Sequence, residues 1–390
     1  MKKRLLPLIT LGILLISCAQ KGKQASTPLN RMQLMVDTVH IPSSDVLNLK
    51  SYYLSACFQT DSSSYLYGYN YKMHALDIID LLKRTMSQIT LHKDGPNAIG
   101  RHMQSLLIHT PDSIWIYDNA QRLVLINDSG VIMRSVDLKK ELKSKEMIQI
   151  DQNYAMSTSR FCYDNKRRSL LYGIEDGTTS PVSFKVRETF LDGITKSIDY
   201  ALQPSALLSD IKRYGDMGEV NISFANEEII YNYPPESTVY TLNRTTGERR
   251  VVQAASAYTE NVAAECATKE IDIWTVHRLE NIHFYDVMYL PHLNLYARLH
   301  VNGVKRNATR DWGALFSSKK LYLMLFDANF APLGEYQLSP KRYDYSMGWG
   351  VTSNSLYLFV NNPLDEVAQG SEELTIDVIS LKQPTNKTPK

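Results

Sequence analysis

Apolar runs of strand type, parted by polar turn residues, are clearest between residues 103 and 138, where four follow one another at 106–109, 113–117, 123–126 and 131–136. A short apolar run bounded by turn signals marks a strand, and the parting segments Thr-Pro-Asp, Asp-Asn-Ala and Asn-Asp-Ser-Gly carry tight-turn residues. Four antiparallel strands in so short a stretch make one sheet, the size of a propeller blade. The unit before it is predicted at 51–58, 64–69, 74–79 and 85–91. Within it, 76–86 fits both the helical and the strand period, and its neighbours favour strand.

Later units are predicted at 154–162, 169–173, 182–186 and 197–202, then at 220–224, 228–233, 238–242 and 249–252. A fifth lies at 282–289, 293–300, 321–327 and 333–338. A short helical insertion is expected at 205–214, a small-residue loop at 254–270 and a longer insertion at 302–318. The hairpins 125–138, 241–254 and 325–338 share one pattern: an apolar strand, Asn or Asp, a turn, then an alternating strand. That is the outer hairpin of a blade returning. The last unit, 346–352, 355–360 and 374–380, has only three strands, and the run at 32–41 has no neighbour to pair with. An unpaired edge is a liability that propellers remove by closing the ring, so 32–41 is expected to complete the last blade. A pair of β-sandwiches would need a linker-like composition shift near mid-chain, and none is visible. The pattern therefore predicts an all-β fold: a six-bladed β-propeller over 31–382, closed by an N-terminal strand.

The first thirty residues carry an address. Lys2, Lys3 and Arg4 precede an apolar run at 5–16 that is too short to span a bilayer as a mature helix. It ends in Leu15-Ile16-Ser17-Cys18, the lipobox order of a branched aliphatic, a tolerant position, a small residue and Cys. Residues 1–17 read as a lipoprotein signal peptide, Cys18 as the diacylglyceryl and palmitate acceptor, 18–30 as a polar tether and 383–390 as a polar tail. Ala19 is not Asp, the residue associated with inner-membrane retention, so the outer membrane is the expected address, with the domain in the periplasm or at the cell surface. Three of the 43 basic residues fall in the leader, against 41 acidic residues overall. The mature chain thus has no basic excess for nucleic acid. Cys57, Cys162 and Cys266 are left, an odd number at no metal-ligand spacing, and are expected to be buried structural thiols.

The lipobox and tether, DGPNAIGR before DSIWIYDNAQRLVLINDSG, and IHFYDVMYLPHLNLYARLH followed by LYLMLFDANFAPLGEYQL resemble the six-bladed, TolB-like propeller lipoproteins of gut bacteroidetes. Within these they resemble a family known only as a domain of unknown function. The resemblance implies a fold and a location, not an activity. Many six-bladed propellers carry Gly-Pro-Gly-Glu where this chain has Gly-Pro-Asn-Ala, so no ligand role is carried over to that loop.

No nucleophile–base pair, metal motif or phosphate loop can be assembled from the sequence, so neither catalytic residues nor a metal or cofactor is expected. Asp327-Ala328-Asn329 resembles the start of a calcium loop but lacks its Gly and late Glu, and reads as a hairpin turn. Candidate ligand-binding residues are Arg101, His102, Arg213, Tyr214, Arg278 and Arg298, with Trp312 nearby, because they stand at blade junctions or near insertions. Two function classes compete. One is a non-catalytic binding or assembly module for a glycan, a peptide or an envelope protein; the other is a hydrolase or lyase with a channel-facing acid–base set.

Overall fold

The computed structural model describes residues 31–42, 49–118, 120–149, 161–209, 211–266, 271–308, 311–345 and 348–382. The signal, Cys18, the tether, the tail and the 154–160 part of one predicted strand lie outside the described residues.

Strand β1 (Gln33–Ile41) comes first in the chain and last in the ring. Blade 1 follows with β2 (Ser55–Gln59), β3 (Ser64–Asn70), β4 (Ala75–Asp80) and β5 (Thr85–Thr90), so the ambiguous 76–86 stretch is two strands and a turn. Blade 2 is β6 (Met103–Thr110), β7 (Ser113–Asp118), β8 (Arg122–Ile126) and β9 (Ile132–Asp137). Blade 3 differs from expectation by one strand. Both β10 (Glu146–Ile148) and β11 (Phe161–Asp164) pair with β12 (Ser169–Asp176), ahead of β13 (Ser183–Phe190) and β14 (Ile198–Ala201). Blade 4 is β15 (Asn221–Ala225), β16 (Glu228–Asn232), β17 (Thr238–Asn243) and β18 (Arg249–Gln253). Blade 5 is β19 (His283–Leu290), β20 (Leu295–Val301), β21 (Leu321–Phe326) and β22 (Pro332–Gln337). The three repeated hairpins are β8–β9, β17–β18 and β21–β22, each the outer pair of its blade.

Blade 6 is β23 (Gly350–Val351), β24 (Ser355–Phe359) and β25 (Leu374–Lys382), and β1 supplies its fourth strand. The two run antiparallel from Gln33 opposite Lys382 to Ile41 opposite Leu374. Val39 and Ile41 are buried against Tyr52, Leu66 and Ile79 of blade 1 and Tyr357 and Ile376 of blade 6, sealing the seam where the ring closes. Burying an aliphatic side chain of this size is worth roughly 1.5–3 kcal/mol. Comparable apolar seams lie between the other blades, so the core is a ring of sheet-on-sheet contacts.

Within this meander, the loop leading into each blade and the connection between its second and third strands open on one face, the loop face. The first–second and third–fourth turns open on the other, the turn face. The longest described connections belong to the loop face. They include α1 (Ile271–Glu280) ahead of blade 5, α2 (Trp312–Ser317) inside blade 5 and α3 (Glu366–Gly370) inside blade 6. On the turn face Asp327 accepts from the Asn329 and Ala331 amides, the expected hairpin turn.

A polar staple ties each lead-in loop to its own blade. Tyr52 lies flat on Gly68, where a Cβ would fall 2.4 Å from its ring, and donates to Asp77 on β4 at 2.7 Å. In blade 2, Arg122 holds the Ala98 carbonyl. In blade 3, Arg187 holds the Glu141 carbonyl of the lead-in and both oxygens of Glu146 on β10, and in blade 4 Tyr231 and Tyr233 hold the Gln203 backbone. Glu335 of blade 5 accepts from the Ser256 hydroxyl and the Ala257 amide. In blade 6, Asp377 accepts from Arg342, Tyr343 and, across the closure, Thr38. Buried polar groups are tolerated because they are met in this way.

Candidate functional site

The loop face is most elaborate around blades 4 to 6, and α1 is its centre. Ile271, Ile273, Thr275 and Val276 are poor helix formers, and no element is predicted between 270 and 282. Tertiary contacts make the helix. Lys319, at the foot of β21, donates to the Arg278 and Asn281 carbonyls at 2.7 and 2.9 Å, and the Val304 amide donates to the Leu279 carbonyl. Those are the orphan carbonyls of a helix C-terminus, where a cation is favoured. Gly303 passes so close that a Cβ there would meet the Glu280 carbonyl oxygen at 2.0 Å. Burial pulls the Lys319 pKa down to about 7, with Arg278 adding to the effect.

Arg278 lies at the middle of what α1 assembles. Its Nη1 donates to Asp216 Oδ2 at 2.7 Å, and its guanidinium stacks 5.1 Å from the Phe316 ring centre. Its charge also acts on His283, Tyr285, Tyr345 and Lys319. The ring of His283 lies 4.5 Å from that of Tyr285, which lies 4.9 Å from Trp349. A register shift between Phe284 and Val287 takes Tyr285 and Asp286 out of the β19 ladder, and such bulges re-aim side chains. Burial lowers the pKa of both His277 and His283, so both are neutral imidazoles at pH 7. His277 Nε2 donates to the Ala264 carbonyl at 2.6 Å, which leaves Nδ1 as an acceptor.

Six buried polar atoms of this cluster have no hydrogen-bond partner among the described residues: Asp216 Oδ1, Trp274 Nε1, His277 Nδ1, His283 Nε2, Tyr345 Oη and Trp349 Nε1. Leaving one such group unmet costs roughly 1–3 kcal/mol, against a typical net stability of about 5–15 kcal/mol for a whole protein. Buried groups of this kind are ordinarily met by a neighbour or by ordered water.

Trp349 also lines an axial cavity of about 360 Å³, to which the inner strands of all six blades contribute. Its walls are largely apolar, with Asp286, Ser223, Cys57 and Cys162 among the polar lining. Burial pushes both thiols up, Cys162 to about 11, so they stay protonated and unreactive at neutral pH.

The predicted candidates separate. Arg213 and Tyr214 lie beside the cluster. The Arg213 carbonyl accepts from the Cys266 amide, its side chain pairs with Glu265, and the Tyr214 ring lies 6.3 Å from His277. Trp312, partly exposed on α2, lies under Arg306 and leads to Phe316. Arg101 and His102 are exposed on a different loop, between blades 1 and 2. Arg298 is buried at the seam of blades 4 and 5, where it holds the Ser237 and Ala254 carbonyls and packs on Phe284. Burial draws its pKa down to about 9, so it remains charged at neutral pH.

A family model described as a domain of unknown function, DUF4221, matches residues 31–337. The chain belongs to this family. A solved DUF4221 member from Bacteroides vulgatus is 16% identical, with a TM-score of 0.68 over 91% of this chain and 99% of that one. A Bacteroides fragilis protein described as exported is 14% identical, with a TM-score of 0.51 over 90% of this chain and 95% of that one. At these identities the likeness shows the fold. No curated protein matches the chain.

In this DUF4221 propeller, sequence reasoning singled out Arg278, Arg213 and Tyr214 at blade junctions or near insertions, and they lie in or beside the cluster. It missed Asp216, Lys319, Tyr345 and Trp349. Tyr345 and Trp349 are aromatic residues in a junction loop, a signal that could have been read. Asp216 and Lys319 carry none, because their partner Arg278 is far away in the chain. No described helix is long and apolar enough to cross a membrane.

Proposed function

We propose that this DUF4221 propeller is an exported, Cys18-anchored envelope lipoprotein whose loop face is a non-catalytic binding module. The Arg278 cluster is the seat for part of a glycan, a peptide or a protein partner. The observation that carries this reading is the gathering of Asp216, His283 and Tyr345 near Arg278, each with a buried polar atom that has no partner among the described residues. Binding sites of this kind keep a few convergent polar groups beside apolar walls, which here are those of the axial cavity.

Lys319 is the residue that would favour the hydrolase or lyase alternative, since a pKa near 7 suits a general base. Its hydrogen bonds to the end of α1 assign it instead to holding the helix. Both readings can be tested on the purified chain. Arg278→Met should abolish capture of a ligand found by envelope-extract or glycan-array screening, while melting within about 3 °C of wild type. Reproducible turnover of a substrate, lost in Lys319→Met, would overturn the non-catalytic reading. For the anchor, a fatty-acid probe fed to cells should label the wild type and not Cys18→Ser; equal labelling would exclude lipidation at Cys18.

A further inference from the structure

We infer that the turn face rests on an anionic lipid leaflet and that the loop face looks away from it. This rests on the reading of Cys18 as the lipid anchor and adds the face that the anchor holds down. β25 starts after α3 on the loop face, so its end at Lys382 lies on the turn face. Gln33 pairs with Lys382, so β1 enters the ring at that same rim. The Arg31 amide donates to the Leu333 carbonyl at 2.7 Å, beside the β21–β22 turn, which fixes the entry point. Twelve residues separate Cys18 from Arg31. A polar coil of that length has a mean reach of about 20 Å. The nine residues of β1 carry the chain about 30 Å from the turn face to the loop face. A lipid at Cys18 therefore draws the turn face to the membrane more readily than the loop face.

Charge is sorted in the same direction. Residues 18–32 hold Lys21, Lys23 and Arg31, residues 382–390 hold Lys382, Lys387 and Lys390, and neither stretch has an acidic residue. These six come out of the 40 basic residues beyond the leader, which leaves 34 against 41 acidic residues over 33–381, a net charge of −7. Two basic ends thus meet an acidic body, and both join it at the blade 6 rim of the turn face. The hairpin turns of that face are of mixed sign, with Asp61 and Asp192 as well as Lys83 and Lys196, so the attraction comes from the ends. Lys21 and Lys23 stand three and five residues from the anchored Cys18, which makes a lipid surface the partner they meet. Cations so placed are drawn to anionic headgroups, and a lipid group and a basic patch reinforce one another as anchors.

The test uses the mature protein purified from cells and the non-acylated chain starting at Ala19, on vesicles of phosphatidylcholine with or without phosphatidylglycerol. Cys266, partly exposed, is changed to Ser, and Ser62→Cys or Met73→Cys then carries one dye. These two exposed positions stand at opposite ends of β3, Ser62 on the turn face and Met73 on the loop face, and melting verifies each fold. Energy transfer to a dye on the lipid headgroups should be stronger from position 62 than from position 73. The non-acylated chain should bind phosphatidylglycerol vesicles about tenfold more tightly than phosphatidylcholine alone, and changing the six cations to Gln should abolish that preference. Equal transfer from both positions, or stronger transfer from 73, overturns the inference, and so does binding indifferent to phosphatidylglycerol or to the six cations. If cells attach no acyl group to Cys18 and the chain still binds turn face down, the anchor reading falls and the docking face stands.

Discussion

Two aspartates, Asp377 and Asp216, each face an arginine inside this propeller, and they end differently. Asp377 accepts from Arg342 Nε at 2.6 Å and Nη2 at 2.8 Å, from Tyr343 at 2.7 Å and from Thr38 at 2.8 Å. Burial works against its charge, but these bonds outweigh it and hold its pKa below the usual carboxylate value. Asp216 has one oxygen on Arg278 and the other unmet among the described residues; burial raises its pKa, and Arg278 only partly opposes that. A carboxylate with its acceptor sites filled by its own fold is a joint. One with a single oxygen met is a joint half made, and on the proposed reading it is the part of the loop face left for a ligand.

The sharpest way to break this comparison is to remove the joint together with its strand. Deleting residues 19–42 takes away β1 and Thr38 and exposes the β25 edge, and it should shift the protein to aggregate on size exclusion. Deleting only 19–30 should leave the melting temperature within about 1 °C. Equal behaviour of the two truncations would mean that β1 does not close the ring in solution.

Next in size is a direct contrast of the two aspartates. Asp377→Asn leaves Arg342 and its neighbours without their carboxylate and should cost about 3–5 kcal/mol in denaturant unfolding. Asp216→Asn should cost less than about 1 kcal/mol, because its network is already incomplete. Similar losses would remove the distinction between joint and open seat.

The smallest effect is a pH profile. In the blade 3 staple, burial pushes the Glu146 carboxyl up, but hydrogen bonds from Arg187 and Lys185 outweigh it and hold its pKa at about 2, down from 4.5. A depressed pKa gives stability that is complete above about pH 4.5 and lost as pH falls through 2, here roughly 3 kcal/mol. Melting curves from pH 6 to 2 should show that loss in the wild type and a flatter acid limb in Glu146→Gln. Parallel limbs would show that other carboxylates control acid unfolding.

How much of this was legible in the sequence follows from where the information lies. Strands such as β7 and β8 show themselves as short apolar runs between turn residues, and the repeated outer hairpins carry their turns with them, so blades could be counted. The closing role of β1 came from arithmetic, one strand short at one end and one spare at the other. The helix α1 was not legible, because Lys319 and the Gly303 contact stabilise it from outside its own residues. β10 was missed because three residues are too few to show a period. The candidate site was legible only in part: Arg278 stands out at a junction, whereas Asp216 matters solely through the arginine it meets. Arg298 looked equally promising, but it sits in the middle of β20, at a seam between blades, and its nitrogens are turned to backbone carbonyls.

The closure also sets a clock. Thr38 and Asp377 lie 339 residues apart, so a chain emerging from its N-terminus displays β1 long before its partner exists. At about 5–20 residues per second of synthesis, the wait lasts on the order of 20–70 s. The finished ring asks little of β1 beyond its backbone ladder. Only Val39 and Ile41 of its nine residues end up buried, and most of the others stay exposed in the finished ring. A first strand that must remain single while five blades form ahead of its own keeps Met35 and Val36 in solvent even after closure, and its two buried aliphatics sit at the end nearest the rest of the chain.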